Sequence, residues 1–530
     1  MSFGIQSKTS DYHTNPKGLL KLVQKLKTEV PHLLLLDIFA RENHNEETAD
    51  FFLEYRFLDI DGLGNINISM SVQADRYVPS IAELFVNALW CEREAFEMYG
   101  IGFQDQSRTN LLTPTVAGAR VFPFRTQTTP PVWGPFELDN NFFRPRSVEK
   151  NRPENFYRWQ VLGPHIAWPN GPVRILMDTE GDYIKGASLE IGFSHRALEK
   201  KLEGQSVDEI ALYLERLSYL APHFGSFLTA YFFETLFQIQ IPERAQGIRM
   251  AILEMSRIMS HCTALENLFF TLEMSMPLTV MRWARAKCLE IFLELSEGNY
   301  FGELIIVGGL KRDISRAFPT KCLDFVHEFN NHMTSLASYL KNNQVWLAQT
   351  QQVPLDHHLG LQYGVLGPNI RASGINLDFR KRIRPYFYSE IDFEVPLGVT
   401  GTIHDRAMIR MEEIRQSLRI ISQVLDHVPE GEILNGKLHT VIAEKMAEPE
   451  FIPHHRAMVE GPEGPLMMEI YFRPNPALKT MHDFRIERFR FLSGGFMAAQ
   501  CLSKVLMEQP FEAALRALYS FNINFAEVDR

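Results

Sequence analysis

Seven prolines, at positions 114, 123, 130, 131, 135, 145 and 153, crowd one stretch between Thr113 and Glu154 of this 530-residue chain. Proline fixes φ and has no backbone N–H, so neither a helix of ordinary length nor an inner strand can run through such a segment. The chain must therefore fold as two unequal parts joined by a linker. The boundaries expected are 1–112, 113–155 and 156–530.

The first part reads as α+β. Apolar residues at helical spacing (Leu19, Leu20, Val23, Leu26) mark a helix over Gly18 to Lys27. Three β-rich runs follow, Leu33 to Phe39, Phe51 to Leu58 and Asn65 to Val72, with Asp59 to Gly62 as a hairpin turn. A helix from Ile81 to Tyr99 closes the unit, with Ser80 as its N-cap and Gly100 as its stop. Beyond the linker, Pro172 to Glu190 reads as a short β section with a turn at Asp178 to Asp182. The chain is then mainly helical to Leu347. Ile248, Ile252, Met255 and Met259 form one apolar stripe, while Arg249, Glu254 and Arg257 lie elsewhere on the same helix. Another helix spans about His404 to Val424. The fold class expected is thus an α+β N-terminal domain followed by a large, mainly α domain with a small β section.

Charge and cysteine usage narrow the function. Fifty-four basic against 64 acidic residues give a net charge of −10, the opposite of a nucleic-acid footprint. The five cysteines, at 91, 262, 288, 322 and 501, include no CxxC pair, so no zinc ribbon, redox dithiol or cysteine-held cluster can be read. Met1 to Thr28 lacks an apolar signal core, and Leu217 to Phe233 is too broken by polar residues to span a membrane, fitting a buried helix pair instead. The expected compartment is cytoplasmic.

Several catalytic patterns fail on one position. Gly431 to Lys437 has phosphate-loop spacing, but Leu438 stands where a hydroxyl is needed, which leaves a surface turn. Gly62 and Gly64 begin a dinucleotide pattern that no third glycine completes. His327 and His332 are five apart and face different sides of a helix. The adjacent pairs His357/His358 and His454/His455 are poor chelators and are expected to face solvent. Glu92, Arg93 and Glu94 are dense for a helix interior and read as ion-paired residues at a helix end or a subunit interface. His195 and Glu199 are spaced by one helical turn, either as a hydrogen-bonded core pair or as part of a site.

Longer stretches carry more information. Trp90-Cys91-Glu92-Arg93-Glu94-Ala95-Phe96-Glu97-Met98-Tyr99-Gly100-Ile101-Gly102-Phe103 resembles the signature of the C-type subunit of respiratory complex I. Gly163-Pro164, the run Ile191 to Lys200, Pro242 to Gln246, Gly308 to Asp313, Arg371 to Gly374, Asp378 to Lys381, Asp392 to Pro396 and Arg410 to Ile421 look like successive motifs of the D-type subunit. The D-type subunit is in turn related to the large subunit of energy-converting nickel–iron hydrogenases. The motifs are collinear to Glu527-Val528-Asp529-Arg530, so the chain resembles a fused C/D-type subunit.

The resemblance implies a peripheral-arm subunit of a membrane-associated oxidoreductase, on the cytoplasmic side of the inner membrane. It would couple NAD(P)H-derived electrons to quinone, with NAD bound by another subunit. Partners implied are Fe–S subunits (ferredoxin-like and complex I B-like), antiporter-like membrane proteins and an H-like membrane subunit. An iron–sulfur cluster is expected in a partner; this chain is expected to hold no nickel–iron centre and no cofactor of its own, with quinone as a ligand that the resemblance allows. Departures from the family pattern accompany this. Ile166 occupies the place of the proton-donating histidine, with His165 beside it; Val207 falls at the quinone tyrosine and Thr271 at the aspartate. Ser218, Ala221, Asn524 and Glu527 fall at the four thiolates of the hydrogenase centre. The resemblance leaves His165, His195, Arg196, Glu199 and Arg371 as quinone-pocket or partner-interface candidates, and Glu92, Arg93 and Glu94 as subunit-interface candidates. The alternative is a catalytically silent scaffold in an ion-translocating, antiporter-like or hydrogenase-related complex.

Overall fold

The computed structural model describes residues 9–43, 50–62, 64–73, 76–106, 110–113, 122–126, 159–164, 170–205, 208–383, 385–446, 454–473 and 485–530. Most of the expected linker lies outside these residues. The 122–126 piece of it is tied down at both ends: Arg125 donates to the Tyr99 carbonyl at 2.7 Å and Lys200 to the Phe124 carbonyl at 2.8 Å.

The N-terminal part holds β1 (Thr9–Thr14), α1 (Pro16–Glu29), β2 (Leu33–Glu42), β3 (Phe51–Asp59), β4 (Asn65–Val72) and α2 (Ala88–Tyr99). Asn15 caps α1 by accepting the Gly18 N–H, Pro16 supplies a pre-set φ at its start, and Leu19, Val23 and Leu26 form its buried stripe. The sheet order is β1-β4-β3-β2, with β1 parallel to β4 and the other pairs antiparallel. Asp59 turns the β3–β4 hairpin by accepting the Asp61 and Gly62 N–H groups, each at 3.0 Å. The last helix begins at Ala88 rather than Ile81. Glu92 reaches back from it to accept the Ser80 hydroxyl at 2.7 Å and the Ile81 N–H at 2.9 Å, so Ser80 serves a loop, not a helix cap. Gly100 ends the helix as expected, at φ 76°.

The second part opens with β5 (Trp159–Leu162), β6 (Arg174–Glu180) and β7 (Tyr183–Glu190), an antiparallel sheet in that order. Helices α3 (Leu198–Leu202), α4 (Asp208–Leu217), α5 (His223–Phe237), α6 (Glu243–Thr271) and α7 (Ser275–Leu295) follow. A small hairpin, β8 (Ile305–Ile306) and β9 (Gly309–Leu310), separates them from α8 (Phe318–Lys341) and the short α9 (Gln344–Thr350), α10 (His357–Gln362), α11 (Pro368–Arg371) and α12 (Phe379–Arg382). Then come α13 (Ile403–His427), α14 (Leu438–Met446) and the antiparallel sheet β10 (His454–Gly461), β11 (Gly464–Phe472), β12 (Ile486–Ser493). The chain closes with α15 (Gly494–Val505), α16 (Phe511–Phe521) and α17 (Phe525–Asp529). No helix among the described residues is long and apolar enough to cross a membrane.

Helix α6 is the axis of this part, packed along α13 and flanked by α7 and α16. Its apolar stripe is buried, and so are Arg249, Glu254, Arg257 and His261 on its other sides. A helix buried all round must pair its charges, because an isolated ion in the interior costs several kcal/mol. Arg249 pairs with Glu234 at 2.7 Å, and Glu254 with Arg257 and Arg380 at 3.3 and 3.2 Å.

The two parts meet through buried charge. Arg490 on β12 grips Asp37 on β2 through two hydrogen bonds of 2.7 Å and reaches Glu94 on α2 at 2.6 Å. Glu199 on α3 accepts from Arg488 at 2.7 Å and from Arg530 at 2.9 Å, and Arg530 also donates to Glu94 at 2.7 Å. Further along the same contact, Arg56 on β3 donates to Glu469 on β11 at 2.6 Å. Both faces of β2 and β3 are therefore covered, which is why they read as nearly continuous buried runs rather than alternating ones. Gly192 completes the seam. Its φ is 91°, and a Cβ there would lie 1.9 Å from the Leu112 carbonyl oxygen, so only glycine lets the two backbones approach.

Two outcomes follow for stability. Replacing Arg490 with Met leaves buried carboxylates short of a cation and is expected to destabilise the chain by about 3–5 kcal/mol, read from denaturant midpoints. The guanidinium groups also hold Glu94 and Glu199 below their ordinary value of 4.5. Depressed carboxylates contribute stability that is complete above the unfolded value and is lost as pH falls through the folded one. The acid loss of stability should therefore be shallower in R490M than in the parent. Gly192→Ala should lower the melting temperature although it adds only a methyl group; an unchanged melting temperature would contradict the close approach to Leu112.

Candidate functional site

The site is built on two backbone segments held against each other, 191–199 and 522–530. Gly192 and Ser194 donate their N–H groups to the Asp529 carboxylate at 2.6 and 2.8 Å, and the Ser194 hydroxyl adds a third bond at 2.8 Å. Burial nevertheless raises the Asp529 carboxyl, and these donors and the nearby His195 only partly offset it. The His195 ring donates from Nδ1–H to the Asp529 carbonyl at 2.5 Å, which leaves Nε2 as a lone pair in the neutral ring. That Nε2 is buried and has no hydrogen-bond partner among the described residues.

His195 and Glu199 do not share a helical turn. Ala197 takes the left-handed conformation at φ 52°, and α3 begins only after it. The histidine consequently turns to the C-terminal segment while Glu199 turns to the arginine cluster between the two parts. Arg196 between them is exposed. His165, Ile166 and Val207 lie outside the described residues. Thr271 ends α6, its hydroxyl donating to the Leu268 carbonyl at 2.7 Å.

Of the motif residues in the first part, Glu94 joins the Arg490 and Arg530 cluster and Glu92 holds the 80–81 loop. Burial pushes the Glu92 carboxyl up to about 7 against its two donors. Arg93 is partly exposed and donates to the Asn110 carbonyl at 3.0 Å.

Arg371 sits in a second buried cluster. It donates to Glu413 on α13 at 2.8 Å, to Glu460 on β10 at 2.7 Å and to the Leu377 carbonyl at 2.9 Å. The cation holds Glu413 well below the usual carboxylate range against its burial. His261 Nε2–H donates to that carboxylate at 2.8 Å. Burial lowers the His261 ring's affinity for a proton, and Glu413 only partly offsets it.

Between these clusters lies a cavity of about 20 Å³. Ser218, Ala221, Asn524 and Glu527 all line it, together with Ser260 and Glu463. Four positions separated by some 300 residues in the chain are thus brought to one wall. Glu463 joins the cavity to the second cluster, accepting from Arg410 at 2.8 Å, from Ser260 at 3.2 Å and from Asn522 at 2.5 Å. Burial pushes the Glu527 carboxyl up to about 7, with Ser218 and Asn524 opposing. The five cysteines are all buried and unpaired. Burial raises their thiols, Cys322 and Cys501 to about 12, so they stay protonated at neutral pH. Among the described residues no group of three or more His, Cys, Asp or Glu is arranged to hold a metal ion.

Sequence reading missed Glu463, Arg488 and Arg490. The arginines alternate within the apolar run Ile486 to Leu492, and charge at period two in an otherwise buried strand is a signal for paired inward-facing groups. Glu463 sits in a two-residue turn between strands and carries no such signal. The expectation that His454/His455 face solvent does not hold. His454 bonds Glu469 at 2.8 Å, and His455 packs on Phe232 with burial pushing its ring down to about 4. His357 and His358 are exposed, as expected.

Comparison with known proteins matches both parts. Residues 12–131 fit the model of the respiratory-chain NADH dehydrogenase 30 Kd subunit, and residues 273–530 that of the 49 Kd subunit. The C/D subunit of the NADH-quinone oxidoreductase of Shewanella woodyi is 30% identical over 448 residues, covering 78% of this chain and 73% of its own length. Its counterparts from Chromohalobacter salexigens and Rhodopseudomonas palustris are likewise 30% identical, over 76% and 79% of this chain and 71% and 76% of their own lengths. With both family models present in that order and both parts locked by one charge cluster, the chain belongs to the family of C/D subunits of NADH-quinone oxidoreductase.

Proposed function

We propose that this chain is a peripheral subunit of a complex I-like, membrane-associated oxidoreductase. It would meet quinone near the 191–199 segment and receive NAD(P)H-derived electrons through iron–sulfur partner subunits. The observation that carries this reading is His195. Its ring is fixed by Asp529 on one side, and on the other its buried Nε2 meets no hydrogen-bond partner among the described residues. A buried, unpaired ring nitrogen is costly unless a ligand completes it. A reduced quinone suits it, because its hydroxyl can donate to the Nε2 lone pair. The NAD site belongs to another subunit in this reading, and the membrane is reached through antiporter-like and H-like partners.

A nickel–iron centre does not suit the residues that the resemblance sets at its thiolate positions. Ser218, Asn524 and Glu527 offer hard oxygen and amide donors and Ala221 offers none, whereas that centre needs soft thiolates. No step is assigned to it. A second reading, a silent scaffold that supports assembly or ion movement, is favoured by one observation: Glu94, Glu199 and Arg371 are wholly engaged in ion pairs within the chain. Such residues hold shape rather than move charge.

The native complex purified from membranes separates the two. Stoichiometric bound quinone is expected, with NAD(P)H-dependent quinone reduction falling at least about tenfold in His195→Gln while the complex remains assembled. An intact complex without quinone and without redox activity would leave only the scaffold. Elemental analysis should find no stoichiometric nickel; its presence would contradict the reading of Ser218 and Ala221.

A further inference from the structure

Helix α2 belongs to the first part, yet two of its buried carboxylates hold backbone of the second part in place around His195. Glu94 and Glu97 are each 4% exposed and lie three residues apart, on one side of the helix. Glu97 gathers main chain. It accepts the Leu111 N–H at 2.7 Å, the Leu112 N–H at 2.9 Å and the Thr113 N–H at 2.6 Å. Three donors on one carboxylate fix the course of 111–113. That course lays the Leu112 carbonyl against Gly192, where a Cβ would lie 1.9 Å from its oxygen. Glu94 gathers a side chain instead: both of its oxygens accept from Arg530 Nη2, at 2.8 and 2.7 Å.

The two holds act on the two segments that meet at the His195 ring. Gly192 opens one of them, and Arg530 follows Asp529 in the other, whose carbonyl receives the ring Nδ1–H at 2.5 Å. Helix α17 is five residues long, too short to persist without its contacts. Its end depends on the balance of the cluster. Without Glu94, Arg490 would keep two bonds of 2.7 Å to Asp37, and Arg488 would keep Glu199, the Ala40 carbonyl at 3.0 Å and Glu203 at 3.8 Å. Arg530 would be left with one carboxylate, Glu199 at 2.9 Å, which it shares with both other arginines. Buried cations short of carboxylate repel one another, and the one held least is the one that moves.

We propose that Glu94 and Glu97 are positioning residues for His195. From the first part they hold the 529–530 end and the Gly192 backbone, so that the ring keeps its proton on Nδ1 and presents its lone pair at Nε2. They act through Arg530 and Leu112, not on the ring itself. The C-type part then completes the histidine site rather than merely adjoining it. This rests on the quinone reading only for what meets Nε2.

Nitrogen-15 NMR of the full chain labelled in histidine tests it, in mildly alkaline buffer, with the His195 ring identified by its loss in His195→Gln. A ring nitrogen that bears a proton and one that bears a lone pair have well-separated shifts. In the parent, Nδ1 is expected at the protonated position and Nε2 at the unprotonated one. Glu94→Gln and Glu97→Gln should each draw the two shifts together as the other tautomer enters. Glu469→Gln removes a buried carboxylate from the same contact between the parts, where it pairs with Arg56, and should leave the ring as in the parent. A merely structural role would make all three variants behave alike. The opposite tautomer in the parent, a parent-like ring in E94Q or in E97Q, or an equal change in E469Q would overturn the proposal. If the glutamate variants do not fold, Arg530→Lys keeps the charge of the cluster but not the forked grip, and should move the ring by itself; an unmoved ring there overturns it equally. No quinone is present in the measurement, so a parent-like ring leaves the quinone reading standing, and a complex without quinone leaves the positioning role standing.

Discussion

One guanidinium, that of Arg490, joins three elements from distant parts of the chain. It is fully buried and carries Asp37 from the first sheet, Glu94 from α2 and Glu199 from α3. Removing a charge from water costs several kcal/mol, and it is tolerated only where geometry and hydrogen bonding are nearly complete. That requirement makes the cluster directional. The β2, α2, β12, α3 and C-terminal segments can satisfy it in one mutual placement, which a purely apolar seam would not demand. The long α6 obeys the same constraint, since a helix enclosed on every side must meet each of its charges with a partner.

The functional segments inherit their positions from this seam. Arg530 enters the cluster, and Asp529 beside it holds the 192–195 backbone. The orientation of His195 is therefore fixed by the same segment that locks the two parts together. The cavity lies on the other side of α17, where Asn524 and Glu527 face Ser218 and Ala221. A single short helix thus serves the seam, the histidine and the cavity. In this respect the candidate site is a product of chain-wide packing rather than of any local loop.

Much of the fold was legible in the sequence. Strands β2, β3 and β4 appear within a few residues of their expected positions, because β-rich composition and turn chemistry at Asp59 to Gly62 are local, whereas β1 was not expected. Helix α13 was equally clear, and it is begun by a capping box between Thr402 and Asp405. The helix expected from Ile81 starts late because a side chain from its own second turn, Glu92, claims the preceding loop. The spacing of His195 and Glu199 suggested one turn of helix, but a left-handed residue at Ala197 separates their directions. No pattern in the sequence distinguishes such a residue from an ordinary helix start.

Periodicity, proline placement and short-range chemistry specify the strand and helix content, the α+β character of the first part and the collinear motifs of the C/D family, and all of these can be read from residue order. Residue order also names Ser218, Ala221, Asn524 and Glu527 as the side chains that the resemblance would set at the hydrogenase thiolates. What those side chains do together emerges only on folding. Ser218, Ala221, Asn524 and Glu527 share a cavity, and Asp37, Glu94, Glu199 and Arg490 share a cluster, because residues hundreds of positions apart are packed into contact. Electrostatic properties of that kind depend on burial and on distance through space. Neither is written in the order of residues along the chain.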